Sequence, residues 1–247
     1  MDRLIYTALS GMNSSMDRQR AVANNLANVS TPGFRAEEFS VTPITIRSDT
    51  GYEARSMAQG AVRGADMTGG QVEFTGQPLD VALVGNALLA VQSPDGSEVY
   101  TRRGDLSITE TGVLQNGDGL PVLGQAGPIT VPAGAQISIA DDGTLLQSDP
   151  AAPEAPPAEI GRLKLTNPEG SAVFKDLDGW LRVPDNGALP ADPTARLISG
   201  SLEGSNVDTA TTLVQMIEAQ RAFEQRTKII STAEQLDQSS ARLMSLR

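Results

Sequence analysis

The chain has 247 residues, with 30 acidic and 19 basic side chains, a formal net charge of −11, and neither cysteine nor histidine. Disulfides, thiolate chemistry and metal sites built from cysteine or histidine are therefore excluded, and the usual general base at neutral pH is missing, which argues against an enzyme. Such an acidic chain is also unsuited to binding a phosphate backbone, so no nucleic acid partner is expected.

Charge and chain-breaking residues divide the chain into two neutral ends and an acidic middle. Residues 71–205 hold 18 acidic and seven basic side chains, whereas residues 206–247 hold five of each. The two ends, 1–30 and 206–247, contain one glycine and no proline, and all 15 prolines lie between them. We predict four segments: an N-terminal helix (1–30), an extended connector (31–70), a β-domain (71–204) and a C-terminal helix (205–247).

No apolar run approaches the roughly 20 residues needed to cross a bilayer, so membrane insertion is not expected. The N-terminal sequence MDRLIYTALSGMNSS lacks a basic start followed by an apolar block. A cleaved signal peptide is therefore not expected either.

The first predicted helix begins at Asp2, a suitable N-cap, and ends at Ala27 or Asn28. Apolar residues recur along it at alternating spacings of four and three, which is typical of a helix that docks on other helices. The stripe consists of Ile5, Leu9, Met12, Met16, Gln19, Ala23 and Leu26, with one polar member.

The sequence VANNLANVSTPGF, residues 22–34, ends this helix. Proline restricts the residue before it to extended conformations, and Pro32-Gly33 suits the centre of a type II turn. We interpret Pro32 and Gly33 as a hinge that redirects the chain. Asn24, Asn25 and Asn28 would end the helix and hydrogen-bond to backbone at a turn between subunits; in a simpler alternative, Asn28 alone caps the helix within one chain.

The middle of the chain favours β-structure. Residues 35–70 show no helical period and predict extended chain with one or two hairpin strands. In residues 71–204, the sequence LDVALVGNALLAVQ predicts two short strands broken at Gly85-Asn86, and turn motifs recur every ten to twenty residues. A core of Val, Leu and Ile in a small sandwich or partly closed barrel is expected.

Acidic turns in this region raise the question of calcium. Asp176, Asp178 and Gly179 copy the start of a calcium loop, but Gly187 stands where the bidentate glutamate belongs, so we interpret this motif as a β-turn. No cofactor, metal site or catalytic set is predicted. A carboxylate pair, as in glycosidases, stays open as an alternative, although aromatic residues for a sugar platform are scarce.

The last predicted helix opens at SNVD, where Ser205 and Asp208 resemble a capping box, and it continues for about 40 residues without a breaker. Its length exceeds that of the first helix, so part of its apolar face should meet another molecule; an intramolecular two-helix stalk alone is the alternative. The fold class is α+β, with the terminal helices packing as a coiled-coil-like stalk beside a central all-β domain. The apolar stripe comprises Leu213, Met216, Ile217, Phe223 and Ile230, continued by Ala233, Leu236 and Leu243.

Three motifs resemble those of bacterial flagellar rod and hook proteins. NNLANVSTPGF resembles the asparagine-rich N-terminal motif of that family, and GSLEGSNVDTATTLVQMIEAQRAFEQRTKII resembles its C-terminal motif. Between them, TGQPLDVALVGNALLAVQSPDGSEVYTRRGDLS and GVLQNGDGLPVLG resemble its β-domain signature. The opening MDRLIYTALSGM and the length favour a proximal-rod member over distal-rod and hook relatives.

The resemblance implies a structural axial subunit of the basal-body rod that carries its terminal helices in an inner layer. Its partners would be copies of itself and other rod proteins, with the flagellar type III export apparatus in transit and no cleaved signal peptide. The assembly residues would be those of the two apolar stripes. An alternative of another class is an acidic β-domain enzyme or carbohydrate binder with helical oligomerisation ends.

Overall fold

The computed structural model describes residues 2–46, 55–132, 135–148, 156–176 and 178–245. Contacts within the chain divide it into two compact units, each assembled from separate stretches of sequence. The first unit consists of Met1–Ala27, Glu37–Arg63 and Asp208–Arg247, and the second of Asn28–Ala36 and Gly64–Val207.

The first unit holds both long helices and a pair of strands. In chain order these are helix α1 (Asp2–Ala27), strand β1 (Glu37–Ile46), strand β2 (Arg55–Ala65) and helix α2 (Thr209–Ser245). Strands β1 and β2 form a two-stranded sheet, so the connector predicted as extended chain contains a strand pair. Neither helix, over its described residues, is long and apolar enough to cross a membrane.

Helix α2 begins at Thr209, one turn later than the predicted capping box with Ser205 as its first residue, so the predicted helix start is wrong. Asp208 is the capping residue: its Oδ1 accepts the backbone N–H of Thr211 at 2.8 Å, and its backbone oxygen accepts that of Thr212 at 3.0 Å. Ser205 instead accepts the N–H of Val207 at 3.2 Å in a local turn. Asp208 satisfies a free N–H at the helix start, and the bonds from the Thr211 side chain and backbone lower the pKa of its carboxyl group.

Sixteen short strands are described in the second unit, together with a single 3₁₀ turn at Pro184–Asn186. The first eight are β3 (Val72–Phe74), β4 (Val81–Leu83), β5 (Leu88–Gln92), β6 (Glu98–Thr101), β7 (Leu106–Ile108), β8 (Leu114–Asn116), β9 (Leu123–Gly124) and β10 (Gly127–Pro128). The remaining eight are β11 (Gln136–Ile139), β12 (Thr144–Ser148), β13 (Ala158–Arg162), β14 (Leu165–Thr166), β15 (Phe174–Lys175), β16 (Leu181–Arg182), β17 (Leu197–Ser199) and β18 (Ser201–Glu203).

These strands form several small antiparallel sheets. The largest has five strands in the order β14-β5-β6-β16-β15, and a three-stranded sheet has the order β11-β12-β13. The late strands return to the early ones, because β17 pairs with β4 and β18 pairs with β3. No sheet closes on itself in the described part of the chain, so this β-rich region is not a closed barrel.

The interior of the second unit is aliphatic, as its scarcity of aromatic residues predicts. The main core consists of Val, Leu, Ile and Ala side chains from most of the strands, with Trp180 partly buried against it. A smaller core surrounds Tyr100, whose hydroxyl group accepts the N–H of Leu189 at 2.6 Å and donates to Glu98 at 2.8 Å. The predicted break at Gly85-Asn86 lies between β4 and β5. In the DLDG motif, the Asp176 backbone oxygen accepts the N–H of Gly179 at 2.9 Å, as in a β-turn.

Candidate functional site

Within the first unit, α1 packs against α2 and against the strand pair, and most residues of its buried face are small. The buried face of α1 carries Ser14, Ser15, Ala21, Val22 and Asn25. Among the described side chains of α2, those of Thr212, Ala219 and Ala233 are buried, and they are spaced seven residues apart or a multiple of seven. Small side chains let two helix backbones approach closely, and this seven-residue spacing keeps them on one face.

The predicted stripe of α1 lies on a different face of the helix. At about 100° per residue, its members are centred roughly 130° around the helix from the buried small residues. Leu9 is 41% exposed and Ala23 is exposed, whereas Met12, Met16, Gln19 and Leu26 are partly exposed. The side chain of Ile5 lies outside the described part of the structure. The stripe is therefore not the surface that α1 buries within its own chain.

The predicted residues of α2 divide into two groups. Met216, Phe223 and Ile230 border the buried face and are partly buried. Leu213, Ile217 and Leu236 are 46%, 50% and 57% exposed, and Val214 and Ile229 add further exposed aliphatic surface. The side chain of Leu243 lies outside the described part. We call the exposed residues of the two stripes, Leu9, Leu213, Ile217 and Leu236, the apolar helix surface.

The asparagines at the end of α1 bond within a single chain. The Asn25 side chain accepts the N–H of Glu37 at 2.7 Å and donates to the Glu37 carbonyl at 3.2 Å, as a neighbouring strand would. Asn24 donates to the Glu37 carboxylate. Asn25 therefore anchors the first residue of β1 to the last turn of α1, a role that the sequence interpretation did not assign to it.

In the second unit, the turn after α1 has the expected geometry. Asn28 accepts the backbone N–H and the hydroxyl group of Thr31, each at 3.1 Å. The Phe34 N–H then bonds to the Thr31 oxygen at 3.3 Å across Pro32-Gly33, and Gly33 has φ +66°. Gly33 is also buried, and a Cβ atom there would overlap the Arg102 carbonyl and the Arg103 amide nitrogen. The position thus requires glycine for close packing as well as for φ.

Beside this turn, three charged residues form a buried ion cluster. Arg35, Arg102 and Glu203 have side chains only 3%, 3% and 2% exposed. Glu203 Oε1 accepts Arg35 Nη2 at 2.6 Å and the Gly70 N–H at 2.8 Å, and its Oε2 accepts Arg102 Nε at 2.7 Å. One carboxylate thus serves two guanidinium groups. We call Arg35, Arg102 and Glu203 the junction cluster.

Arg102 makes the most bonds in the junction cluster. Beyond Glu203, it donates to the backbone oxygens of Leu83, Gly85 and Ala87 at 2.6, 2.7 and 2.7 Å. It therefore holds the turn between β4 and β5 as well as strand β18, which carries Glu203. Burial lowers the pKa of Arg102, and the charge of Glu203 partly offsets that effect.

The carboxylate is ionised in this environment. Burial opposes ionisation of Glu203, but the bonds from Arg35 and the charge of Arg102 outweigh it and lower the pKa of the carboxyl group. The cluster carries a net positive charge, and Arg35 Nε and Nη1 have no hydrogen-bond partner among the described residues. Removing the single negative charge would consequently leave two buried cations facing each other.

Bonds from three further residues secure the chain around the junction cluster. Asn206 accepts the Ala36 N–H at 2.7 Å and donates to the Asp66 carbonyl at 2.8 Å. Lys175 donates to the Arg35 carbonyl at 2.8 Å, with its Nζ atom 3.7 Å from the centre of the Phe34 ring. Gly33 donates to the Glu203 carbonyl at 2.7 Å. The segment after α1 and the segment before α2 are thereby bonded to each other and to the β-domain.

Sequence reasoning missed the junction cluster. Its residues are distant in sequence, since 168 positions separate Arg35 from Glu203, and each has the residue type of an ordinary surface charge. Glu203 lies two residues from Ser201 on β18, and the burial of both on one face of that strand is a feature of the structure that the sequence pattern does not show.

Three family models match the chain. Residues 5–35 match the model described as flagella basal body rod protein. Residues 82–147 match that of the flagellar hook protein FlgE/F/G D1 domain. Residues 198–243 match that of the flagellar basal body rod FlgEFG protein C-terminal. Arg35 lies in the first matched segment, Arg102 in the second and Glu203 in the third. The junction cluster is therefore where all three matched segments meet.

Full-length relatives show the same similarity. The flagellar basal-body rod protein FlgF of Escherichia coli (strain K12) is 42% identical over 240 residues, covering 95% of each chain. FlgF of Salmonella typhimurium (strain LT2) is 40% identical over 252 residues, covering 100% of both chains. FlgG of Bacillus subtilis (strain 168) is 30% identical over 265 residues, covering 98% of this chain and 99% of the relative.

Proposed function

Because the chain belongs to the family of flagellar basal-body rod proteins, we propose that it is a proximal-rod subunit of the FlgF type that assembles through its terminal helices. It is a structural subunit of the rod, and so a component of the flagellar basal body. The proposal adds its position along the rod, the surface it uses and its partners. These partners are copies of itself and other rod proteins.

The observation that carries this proposal is the apolar helix surface. Leu213, Ile217 and Leu236 are all 46–57% exposed in the single chain, on a helix whose buried face is already occupied by small residues. Exposed aliphatic side chains repeated along a helix favour burial against another helix. In the rod, these residues pack against neighbouring subunits, while Met12, Met16, Met216, Phe223 and Ile230 extend the interface at its edges. The two helices act together as a coiled-coil-like stalk.

Identity to relatives supports the proximal position. The FlgF proteins of Escherichia coli and Salmonella typhimurium are 40–42% identical to this chain, whereas the FlgG protein of Bacillus subtilis is 30% identical; in Caulobacter vibrioides, FlgF and FlgG are 30% and 31% identical. A distal-rod or hook paralogue is therefore the weaker alternative. The alternative of an enzyme or carbohydrate binder gains no support from relatives that are named as rod proteins.

Delivery to the rod completes the proposal. The subunit passes through the flagellar type III export apparatus without a cleaved signal peptide and takes its place in the part of the rod that spans the periplasm. Family membership supports this route. The subunit is expected to act without a cofactor and without catalysis.

The substitution Ile217→Asp tests the assembly surface. A carboxylate in a packed helix interface costs several kcal/mol per subunit contact unless it finds a partner, so we expect no incorporation into purified basal bodies and no motility. Ile217→Met is the matched control, since it keeps an apolar side chain of similar volume and should assemble normally. Circular dichroism of both purified variants should show unchanged structure. Normal motility with Ile217→Asp would contradict the proposed interface.

A further inference from the structure

We propose that Arg226 fixes the axial register of α1 against α2, acting as a positioning residue between the two helices. Its Nη1 atom donates to the backbone oxygen of Gly11 and to the hydroxyl group of Ser15. Both acceptors belong to α1, and Ser15 is buried. These bonds tie one point on α2 to one turn of α1.

The sequence around Arg226 marks it as an exception within this face of the helix. It lies seven residues after Ala219 and seven before Ala233, both of which are buried and small. A long cationic side chain at this position needs room and an acceptor. Gly11, the single glycine of α1, supplies the acceptor through its backbone oxygen; a Cβ atom there would stand 3.6 Å from the Arg226 guanidinium, an ordinary van der Waals contact, so the room for Arg226 does not depend on glycine.

A second contact shows the relative direction of helices α1 and α2. Arg18 and Glu218 approach to 3.6 Å, so moving seven residues forward along α1 corresponds to moving eight residues back along α2. The helices are therefore antiparallel. A slide by one heptad would preserve the small-residue face, because that face repeats every seven residues, and packing alone does not exclude it.

Arg226 opposes such a slide from within the helix pair, in addition to the bonds that join the segment after α1 to the segment before α2. A slide by one heptad in one direction would bring Arg226 level with Arg18, placing two positive charges together. The opposite slide would bring it level with Leu4, a residue type with no side-chain acceptor. A polar residue among the small or apolar residues between two helices can specify their register, and Arg226 is partly buried at such a position. The register is a property of the chain itself, while its importance for the rod rests on the proposed function.

Spin-label distances can measure this register directly, because the chain has no cysteine. Ala23→Cys and Ser231→Cys introduce two labels at exposed positions of the full-length protein. In the register described here, the two labelled positions are offset along the common helix axis by about 17 residues, or about 25 Å. A slide of one heptad changes that offset by about 10 Å.

In the protein with Arg226, we expect a single distance between the two spin labels. In Arg226→Met, we expect a second population of molecules in which the offset of the labels along the helix axis differs by roughly 10 Å. Arg226→Lys, which can still donate to the Gly11 carbonyl, should restore most of the original distance. Two controls separate an effect on register from an effect on stability. Arg221→Met makes the same change at an exposed site of α2. Ala219→Gly weakens the packing between the two helices but keeps the bonds from Arg226 to Gly11 and Ser15. Both should keep the original distance.

Two results would overturn the proposal. One is an unchanged single distance in Arg226→Met, and the other is a distance in the protein with Arg226 that fits no defined register. Motility of cells carrying Arg226→Met is recorded separately. If the register shifts while motility stays normal, the register inference stands and its link to the proposed rod function fails.

Discussion

The substitution Glu203→Ala should weaken the β-domain more than any exposed charge change. Glu203 is 2% exposed and accepts three bonds of 2.6–2.8 Å, two of them from buried guanidinium groups. Removing one partner of a buried ion pair lowers the free energy of unfolding by about 3–5 kcal/mol, because the remaining charge stays buried without an opposite charge. Domains are typically stable by about 5–15 kcal/mol, so the variant domain would remain folded with little margin.

Urea unfolding followed by the fluorescence of Trp180, the single tryptophan of the chain, measures this loss at the main core. With an m value of about 2 kcal/mol/M, the midpoint should fall by about 2 M. Glu73→Ala is the matched control, since Glu73 is exposed on β3, directly opposite Leu202 of β18. A Glu203→Ala midpoint within about 0.3 M of the unsubstituted protein would refute the stabilising role of the junction cluster.

Two further predictions concern the same region. Gly33→Val introduces a strain of roughly 1–3 kcal/mol from positive φ and, in addition, an overlap with the Arg102 backbone. The urea midpoint of this variant and the motility of cells that carry it should both fall, whereas Pro32→Ala should be nearly neutral. Equal urea midpoints for the two variants would contradict the close approach of Gly33 to the Arg102 backbone. Acid should weaken the domain through Glu203, whose pKa is lower in the folded state than in the unfolded chain. The stabilisation is complete above the unfolded pKa, about 4.3, and is lost as pH falls through the folded pKa. Glu203→Gln should flatten the dependence of the urea midpoint on pH over this acid range, and an unchanged slope would contradict this assignment.

Local signals in the sequence predicted much of this fold. A run without breakers followed by Thr-Pro-Gly predicted the end of α1, and proline followed by glycine predicted the turn at Gly33, because both depend on backbone sterics of adjacent residues. The strands on either side of Gly85-Asn86 were predicted in the same way. The start of α2 was missed by one turn, since Ser205 and Asp208 are both good caps and only the path of the preceding chain decides between them.

The tertiary features could not be predicted in this way. Apolar periodicity detected the exposed stripe of α1 and overlooked the buried one, because Ser14, Ser15 and Ala21 contribute little hydrophobicity and pack by virtue of their size. The junction cluster depends on pairings between distant strands, and a single sequence does not reveal which charges leave the surface. Arg102 and the neighbouring Arg103 look alike in sequence, yet only Arg102 is buried on Glu203.

The return of strand β18 to β3 has a consequence for the order of folding. Contacts that close loops of more than a hundred residues form late, because the chain must lose that much conformational freedom before it gains the contact. Glu203 is separated from Arg102 by 101 residues and from Arg35 by 168. Until residue 203 is in place, Arg35 and Arg102 have no anion to neutralise them, and β3 and β4 lack their strand partners. Completion of the β-domain is thus tied to the arrival of the segment that immediately precedes α2, so a chain that ends before this segment lacks a finished β-domain.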